Sequence, residues 1–325
     1  MTTTAYLTQN AGLPKVHSSR PDGEHTACEL KYLNEGGANF VFRILPIDSE
    51  LPAYSRRRLL RLRKDLPDAQ STDDGIASFR KDFQPLFPGE HLVQQELVEV
   101  DSSLAAQLNE ALNHVKRPTH RKQDILAVRE PHGLMITDMT PAPDDILLQV
   151  KPKWLQQSPS APEGARRCRT CALRVQRASK GIRTATDKQA ACPLKLVSDR
   201  LDDRREAAAA ITRDTVLQDY LSKDALTLLQ TLRRHQANRD PKGVLAVSTE
   251  GEVKDLCKAM TLRDCTLFLR RTGDQVEARI ADLDTKGSEK VSMWMRGERE
   301  LVQGGWYGDQ GEVEEGVCLL AQSGR

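Results

Sequence analysis

Two strand-like runs in the last third of the chain are joined by a short turn sequence. Residues 262–270 read LRDCTLFLR, residues 275–282 read QVEARIAD, and RTGD lies between them. Runs of this kind on both sides of a glycine-containing turn predict an antiparallel β-hairpin. If the turn centres on Gly273, Asp264 faces Asp282 across the hairpin. The chain is thereby restricted to folds that contain an antiparallel sheet in this region.

The predicted pair of carboxylates, Asp264 and Asp282, needs a compensating charge. Like charges directly opposite each other, with Cβ atoms about 5 Å apart, destabilise a sheet. A divalent cation, or a proton held by a raised pKa, is the natural compensation. The inference depends on the register, because a shift of one residue separates the pair.

Further strand and helix signals follow one another along the chain. Residues 30–44 predict two strands joined by the turn GGAN, and residues 55–65 predict a half-buried strand, with a basic helix as the alternative. A helix is predicted after the capping residue Asp101. Further helices are predicted over residues 203–220 and, capped by Ser222, over 222–237; short strands are predicted over 125–128, 133–136 and 146–153. For 325 residues, this mixture predicts an α+β or α/β fold with two lobes or domains.

Basic residues are concentrated in one part of the chain. Residues 151–200 contain twelve Lys or Arg and three Asp or Glu, a net charge of +9, whereas the whole chain carries +2. Such a segment favours a polyanionic partner, which could be nucleic acid, a phospholipid surface or a multiply phosphorylated small molecule. The bases of a nucleic acid would have no aromatic side chain to stack on in residues 156–200, because these residues contain no Phe, Tyr or Trp. A solvated basic loop is the simpler alternative.

Two short charged stretches lie at predicted strand ends. Lys151 and Lys153 are two residues apart in QVKPKW, so an extended backbone directs both ammonium groups to one face. Asp282 and Lys286, in DLDTK, place a metal-binding carboxylate and a cation just beyond a strand, where catalytic groups of α/β folds are common. Taken alone, the lysine pair is more typical of a solvated sheet edge than of a binding site, and the second pair is also a weak signal by itself.

The standard nucleotide-binding motifs are not in the sequence. It has no G-x-x-x-x-G-K-[ST], no G-x-G-x-x-G and neither an H-R-D nor a D-F-G triplet, which disfavours P-loop enzymes and ordinary protein kinases. The GGAN turn could still lay backbone amides over a nucleotide phosphate, because small residues allow close approach. An ordinary hairpin turn is the alternative.

Seven scattered cysteines predict reduced thiols in an intracellular protein. Residues 1–15 show no secretory leader pattern, and no apolar run approaches the roughly 18 residues of a membrane span. Cys168 and Cys171 form a C-x-x-C pair that is typical of zinc ligands, but no second pair completes a set of four. Cys192 and a distant histidine are conceivable additions, and reduced thiols in a basic loop are the favoured interpretation.

Seven stretches occur in an order that resembles the inositol-pentakisphosphate 2-kinase family. They are NEGGANFVFRI, LLRLRK, KRPTHR, QVKPKW, RRCRTCALR, TLRDCTLFLR and ADLDTK, and the resemblance covers about residues 30–307. KPKWLQQSPSAP and GGWY resemble the fungal branch of the family. Seven ordered motifs are far more specific than any one of them.

The resemblance implies an α+β, two-lobed inositol phosphate kinase fold that is distantly like that of protein kinases. Residues 1–140 would form a β-rich N-terminal lobe. Residues 141–325 would form a larger α/β lobe with a basic substrate-binding insertion (151–200) and a catalytic hairpin (262–286). The implied reaction uses ATP and Mg²⁺ to phosphorylate the 2-hydroxyl of inositol 1,3,4,5,6-pentakisphosphate, which gives inositol hexakisphosphate (phytate).

Site residues follow from the same resemblance. Asp264 corresponds to the catalytic aspartate and Asp282 to the magnesium ligand, with Asp284 as a further metal contact and Lys286 beside them. The GGAN turn would cover the ATP phosphates, Arg61 would contact them, and residues 137–139 would form a hinge that binds adenine through its backbone. The residues implied to bind ATP are Gly36, Gly37, Ala38, Asn39, Arg61, Thr137 and Met139. Those implied to bind substrate phosphates are Lys151, Lys153, Arg174, Lys286, Lys290 and one of Arg117 and Arg121.

Departures from the family pattern concern the substrate-binding region. Plant and animal members have a C-M-H-Q-type stretch ending in Lys, whereas this chain has CRTC from Cys168 to Cys171 and then Arg174, without the histidine. The Asn pair of plant members has no clear counterpart near residues 192–196, and a zinc site of the plant type is not supported.

Two alternatives to an active kinase remain at the level of the sequence. One is a non-catalytic protein that binds inositol phosphates, phosphoinositides or nucleic acid through the basic segment. The other is a kinase-like scaffold without turnover, although Asp264, Asp282 and Lys286 are all retained. We expect a monomer in the nucleus or cytoplasm, without nucleic-acid or membrane partners.

Overall fold

The structure is a computed structural model that describes residues 1–9, 12–67, 70–182, 191–309 and 318–322. The chain divides into two compact units: unit 1 comprises residues 1–81 and 93–138, and unit 2 comprises residues 82–92 and 139–325. Sheets and helices are both present, which confirms the α+β class. Residues 183–190 of the predicted basic insertion lie outside the described residues.

Unit 1 is built around a sheet that closes on itself. The strands of its described residues are β1 (Thr2–Thr8), β2 (Lys15–His17), β3 (Thr26–Glu35), β4 (Asn39–Pro46), β5 (Arg58–Arg63), β6 (Gln95–Val100) and β7 (His132–Thr137). They are adjacent in the order β1, β2, β6, β7, β5, β4, β3, and β3 pairs back to β1. The accompanying helices are α1 (Thr72–Asp82) and α2 (Ser102–Leu112), and Asp101 caps α2 as predicted.

Alternating buried residues fix the core of unit 1. On β4, Phe40 and Phe42 are buried and pair with Leu62 and Leu60 of β5. The strand predicted over residues 55–65 is thus confirmed, and the helix alternative is wrong. β7 packs against Leu62 at Gly133, where an added Cβ would lie 2.6 Å from Leu62 Cδ2, so any larger residue there would require the Leu62 side chain to move.

Unit 2 contains a three-stranded antiparallel sheet in the order β10, β9, β8, together with most of the described helices. The strands are β8 (Ile146–Val150), β9 (Thr266–Thr272) and β10 (Gln275–Ala281). The helices are α3 (Arg169–Ser179), α4 (Leu201–Ile211), α5 (Thr215–Ser222), α6 (Leu226–Arg239), α7 (Glu250–Leu262), α8 (Val291–Gln303) and α9 (Leu319–Gln322).

β9 and β10 form the predicted hairpin, but its register differs by one residue from the prediction. Thr272 pairs with Gln275, so the turn has only two residues and begins at Gly273, whose φ is 58°. A two-residue turn with positive φ matches the twist of the strands it joins. The predicted opposition of Asp264 and Asp282 is therefore wrong, and both residues lie just beyond the paired strands.

Three other local predictions were wrong. Residues 125–128 make only an isolated bridge. Residues 203–220 divide into α4 and α5, because Asp214 caps a new helix through its side chain. α6 begins after Ala225, because Ser222 is the last residue of α5. None of the helices in the described ranges combines the length and the apolar character needed to cross a bilayer.

Candidate active site

Three strand ends of unit 2 meet at one edge of its sheet, because neighbouring strands are antiparallel. Lys151 and Lys153 follow β8, Asp264 precedes β9 and Asp282 follows β10. Together with Lys286 they form a group that we name the lysine–aspartate cluster. The sheet topology thus brings together five residues that the sequence had predicted to be functional.

Three ammonium groups surround the Asp264 carboxylate. Lys286 Nζ donates to Oδ2 over 2.8 Å, and Lys153 Nζ donates to Oδ1 over 3.0 Å. Lys151 Nζ lies 3.7 Å from Oδ1 and donates to the Asp264 backbone carbonyl over 2.7 Å. The Asp264 side chain keeps 42% of its surface exposed. The lysines therefore hold the carboxylate without closing it off.

These lysines keep Asp264 ionised. Burial raises the pKa of Asp264, but the hydrogen bond from Lys286 and the charge of Lys153 outweigh burial, and the pKa lies well below its usual range. Lys151 Nζ also lies 3.8 Å from Asp282 Oδ2. Lysine charge thus compensates both carboxylates, and the lowered pKa of Asp264 disfavours the retained proton considered from the sequence for that residue.

Asp282 has the features of a magnesium ligand. Its φ is 59°, which is uncommon for a residue other than glycine, and its side chain is 58% exposed. Oδ2 accepts a hydrogen bond from Thr266 Oγ1. Mg²⁺ prefers carboxylate oxygens and keeps several waters, which an exposed, oriented carboxylate allows. Asp284 is exposed two residues further on, and its carbonyl accepts from Thr261 Oγ1 over 3.4 Å.

A buried glutamine joins the segments that carry the cluster. Gln236 of α6 has no exposed surface, and its Nε2 donates to the carbonyls of Lys153 over 2.9 Å and Leu262 over 3.1 Å. Its Oε1 accepts from the Leu155 amide over 3.0 Å. The segment after β8 and the end of α7 are thus both bound to one side chain. This fixes the backbone of Lys153 and of the residues just before Asp264.

The residue before Asp264 is anchored by a buried ion pair. Arg263 Nη1 donates to Asp240 Oδ2 over 2.7 Å, and the two side chains are 1% and 2% exposed. The Arg263 guanidinium also lies 3.6 Å from the ring centre of Trp154. Neither Arg263 nor Asp240 was singled out from the sequence, because nothing in their local spacing links them.

The remaining predicted substrate ligands of unit 2 lie on or beside two helices. Arg174 is on α3, and its Nη1 donates to the Ala191 carbonyl over 2.7 Å. Lys290 is exposed and directly precedes α8. Both belong to the unit that also holds the lysine–aspartate cluster.

In unit 1, the GGAN turn is held at both ends. The Gly36 amide donates to the Asn39 carbonyl over 2.9 Å, and the Lys64 amide donates to the Ala38 carbonyl over 2.8 Å. A Cβ added at Gly37 would meet none of the described atoms within 4 Å. The turn is therefore ordered and has open space beside it, which a phosphate-covering loop requires.

A buried ion network that the sequence did not reveal supports this turn. Glu35 Oε2 lies 2.6 Å from Lys64 Nζ, and Arg117 Nε donates to Glu35 Oε1 over 2.8 Å. The exposed fractions of the Lys64, Glu35 and Arg117 side chains are 0%, 1% and 3%. Burial raises the pKa of Glu35, but hydrogen bonds from Arg117 and Lys64 lower it to about 2.

Arg117 is a structural residue of this network. Besides pairing with Glu35, its guanidinium donates to the carbonyls of Arg121, Lys122 and Asp124. It could reach a substrate phosphate only by breaking these bonds, which disfavours Arg117 as the phosphate ligand of the two predicted alternatives. Arg121 is half-buried, donates to the Glu35 carbonyl over 2.6 Å, and is the candidate that remains of the two.

The other predicted ATP contacts lie on β5 and after β7. Arg61 is half-buried on β5, and its Nη2 donates to Gln95 Oε1 over 3.3 Å. The Thr137 amide donates to the Gln94 carbonyl over 3.1 Å. This amide is therefore occupied within unit 1, and the backbone of Met139 is the better candidate for an adenine contact.

Four cysteines come together, of which the sequence analysis had considered three and missed Cys318. The Sγ atoms of Cys168, Cys171, Cys192 and Cys318 lie within 4.8 Å of one another. Cys318 follows Cys192 by 126 residues, so no local spacing could identify it as a member of the group. The interpretation favoured from the sequence was thiols scattered through a basic loop. The structure instead places these four cysteines next to one another.

Comparison with known proteins finds similarity over most of the chain. A sequence model of the family described as inositol-pentakisphosphate 2-kinase matches residues 32–300. An inositol-pentakisphosphate 2-kinase from Yarrowia lipolytica is 30% identical over 311 residues, which cover 89% of this chain and 94% of that relative. The region matched by the family contains the lysine–aspartate cluster and the GGAN turn.

Proposed function

The chain belongs to the inositol-pentakisphosphate 2-kinase family of enzymes, and from this membership we propose that it transfers the γ-phosphoryl group of ATP to the 2-hydroxyl of inositol 1,3,4,5,6-pentakisphosphate. The products would be inositol hexakisphosphate and ADP. The observation that carries the proposal is the ionised Asp264 carboxylate, held by three lysines beside a second exposed carboxylate.

The cluster suits an acceptor that is itself a polyanion. Five phosphates bring about eight to ten negative charges near pH 7, which only a dense group of basic side chains can neutralise. Lys151, Lys153 and Lys286 supply three positive charges against the two of Asp264 and Asp282. Further candidates for phosphate contacts are Arg174, Lys290 and Arg121.

In the proposed reaction, Asp264 orients the 2-hydroxyl and accepts its proton. A bond forms between the hydroxyl oxygen and the γ-phosphorus, the bond from that phosphorus to the β,γ-bridging oxygen breaks, and ADP leaves with the electron pair. The proton then passes from Asp264 to solvent. Phosphoryl transfer has a largely loose transition state, so positioning matters more than base strength, and a carboxylate with a lowered pKa suffices.

Asp282 and Asp284 are the residues proposed to hold Mg²⁺, which when bound neutralises charge on the transferring phosphates. The chain itself supports this arrangement by orienting Asp282 through Thr266. Lys151, which lies near both Asp264 and Asp282, would keep the acceptor phosphates next to the reacting oxygen.

For ATP, we propose that the backbone of Gly36, Gly37, Ala38 and Asn39 covers the phosphates. Arg61 on β5 would contact the same phosphates, and Met139 would contribute to adenine binding. The buried pair of Glu35 and Lys64 supports this proposal because it gives the turn a rigid base. We expect the enzyme to act as a monomer in the nucleus or cytoplasm.

Product formation tests the proposal. Purified protein is incubated with ATP, Mg²⁺ and inositol 1,3,4,5,6-pentakisphosphate, and the products are separated by anion-exchange chromatography. A hexakisphosphate peak is expected from the wild type and from Asp274→Ala, an exposed acid in the turn of the same hairpin, but not from Asp264→Ala. If the wild type binds the pentakisphosphate tightly and forms no product, the protein is a polyanion-binding protein and the proposal is wrong.

A further inference from the structure

Lys153 has a backbone conformation that its surroundings must hold in place. Its φ is 60°, a value that residues other than glycine rarely adopt. Such a conformation costs free energy and persists only where the contacts around it over-determine it. Lys153 Nζ donates to Asp264 Oδ1 over 3.0 Å, so the same conformation decides where this ammonium group lies. The contacts next to Lys153 therefore influence the geometry of the lysine–aspartate cluster.

Trp154, the next residue, lies against two guanidinium groups. The Arg263 guanidinium is 3.6 Å from the centre of the Trp154 ring, and the Arg169 guanidinium is 4.4 Å from it. All three residues are buried. A cation over an indole face is attracted by the π electrons, and the attraction is strongest where water is excluded. We name these three residues the arginine–tryptophan group.

Each guanidinium of the group has its own buried carboxylate. Arg263 Nη1 lies 2.7 Å from Asp240 Oδ2, and Arg169 Nε donates to Glu298 Oε2 over 2.7 Å. Glu298 has no exposed surface and also accepts from Ser158 Oγ over 2.7 Å. Two negative charges therefore balance the two positive charges beside one ring. Arginines that are fixed in this way hold the ring in a defined position.

The ring connects the two partners of an ion pair. Trp154 follows Lys153 and Arg263 precedes Asp264, so the contact of ring and guanidinium joins the neighbours of both partners. Gln236 binds the backbone of the same segment through the Lys153 carbonyl and the amide of the residue after Trp154. The side chain between these two backbone bonds is thus held as well, and the segment has little freedom to move.

We propose that Trp154 is a positioning residue, which holds the Lys153 ammonium group at hydrogen-bonding distance from Asp264 through its contacts with Arg263 and Arg169. Because Trp154 is buried, it acts through Lys153 and not by touching a substrate. The consequence for activity rests on the proposed function, in which Lys153 binds the acceptor phosphates. The contacts of the ring do not depend on that function.

Two substitutions separate positioning from packing. Trp154→Phe keeps an aromatic face for the guanidinium groups, whereas Trp154→Leu keeps only apolar volume. We expect kcat/KM for the pentakisphosphate to fall by less than about tenfold in Trp154→Phe. In Trp154→Leu it should fall by about 10²-fold, the effect that a displacement of about 1 Å can have. KM for ATP should be unchanged, because the proposed contacts with the ATP phosphates lie in unit 1.

The matched control is Trp294→Leu. Trp294 and Trp154 belong to the same buried apolar cluster, but within the described residues no guanidinium lies over Trp294. This variant should lose stability and keep kcat. All variants are assayed below their unfolding temperatures, and Trp154→Met, which is also apolar and has no aromatic face, replaces Trp154→Leu if the latter does not fold.

A double-mutant cycle tests whether Trp154 acts through Lys153. In a Lys153→Met background, Trp154→Leu should lower kcat/KM by less than about threefold, because the ammonium group that the ring positions is already absent. Additive losses, or equal losses in Trp154→Phe and Trp154→Leu, would show that the ring only fills space. A lower kcat with both KM values unchanged would indicate a smaller folded fraction and would also overturn the proposal.

Hydrogen exchange in the free protein separates failure of this inference from failure of the proposed function. The Leu155 amide, which donates to Gln236 Oε1, should exchange about tenfold faster in Trp154→Leu and at the wild-type rate in Trp294→Leu. Unchanged exchange in Trp154→Leu would refute the positioning role even in an active kinase. A wild type that forms no hexakisphosphate would refute the proposed function, and the exchange rates would still decide the role of Trp154.

Discussion

Lys286 Nζ donates to Asp264 Oδ2 over 2.8 Å, while the Lys286 amide donates to Thr261 Oγ1 over 3.0 Å. Thr261 lies in the last turn of α7, the helix that leads into Asp264. One helix end thus fixes both partners of the ion pair. Because the fold itself positions the ammonium group, contacts within the protein orient the carboxylate, and such fixed electrostatic groups limit reorganisation during catalysis.

Asp264→Asn should separate catalysis from binding. The amide keeps the size of the side chain but cannot take up the hydroxyl proton, so kcat should fall by about 10²–10⁴-fold. Affinity for the pentakisphosphate should be unchanged or higher, because a negative charge leaves a site for a polyanion. Steady-state kinetics measure kcat and calorimetric titration measures the affinity, with Asp274→Asn as the control. Equal losses of kcat and affinity would show that Asp264 acts in binding instead.

Asp264 should not titrate in mild acid. Burial raises its pKa, but Lys286 and Lys153 lower it further, so the folded-state pKa lies below the unfolded value of about 3.9. The stability that this carboxylate contributes is therefore complete above that value and is lost only as the pH falls through the lower, folded pKa. Carboxyl ¹³C NMR, with the signal assigned by Asp264→Asn, should show no midpoint above pH 4. A midpoint of 5 or 6 would contradict the account.

Glu35→Gln should strongly destabilise the protein. Lys64 and Arg117 would lose the charge that pairs with them, and breaking a buried ion pair in this way costs about 3–5 kcal/mol. Urea unfolding at pH 7 measures the loss, and Glu24→Gln, at an exposed site before β3, is the control.

The same variant has a predicted pH dependence. Because the pKa of Glu35 falls from 4.5 to about 2 on folding, its stabilisation is present above pH 4.5 and is lost as the pH falls towards 2. The difference between wild type and Glu35→Gln should therefore shrink between pH 5 and pH 3. A difference that is small and constant over this range would refute the role of the buried network.

Gly37→Ala tests the proposed contact with ATP. Among the described atoms, nothing lies within 4 Å of the added Cβ, and Gly37 is not a positive-φ residue, so the free protein should tolerate the change. If the turn covers the phosphates, the methyl group obstructs them and KM for ATP should rise by about tenfold, which corresponds to about 1.4 kcal/mol. KM for the pentakisphosphate should be unaffected.

The control for this variant is Gly75→Ala in α1, where an added Cβ also meets nothing described within 4 Å. Alanine is the better helix former, so this change should stabilise the protein slightly and leave both KM values unchanged. An unaltered KM for ATP in Gly37→Ala would show that the turn does not approach the nucleotide.

The sequence predicted elements best where periodicity and turn chemistry agreed. The strands around GGAN, β5 and the hairpin of β9 and β10 were all located correctly, because short runs of β-forming residues flank recognisable turns. Buried residues alternate along β4, whereas β5 and β9 each contain consecutive buried residues. The register was missed by one residue, since Gly273 can serve either as the centre of a turn or as the first of two turn residues. That choice depends on pairing along the whole hairpin rather than on the turn alone.

The site was harder to predict where its parts are distant in sequence. Asp264, Asp282 and the lysines were found through strand ends and ordered motifs. Gln236 and Glu35 were missed because a buried polar residue inside a helix or strand has no local signature. Cys318 was missed because only the fold brings it to Cys192. In each case the missing information is a long-range contact.

The position of the transferred phosphate distinguishes a 2-kinase from a kinase of another ring position. Wild-type protein is given γ-labelled ATP, Mg²⁺ and, in separate reactions, inositol 1,3,4,5,6-pentakisphosphate or the isomer whose free hydroxyl is at position 5. Labelled hexakisphosphate is expected from the first acceptor alone, and none from either acceptor with Asp264→Asn. Equal labelling of both isomers, or undiminished labelling by Asp264→Asn, would contradict a 2-kinase that acts through Asp264.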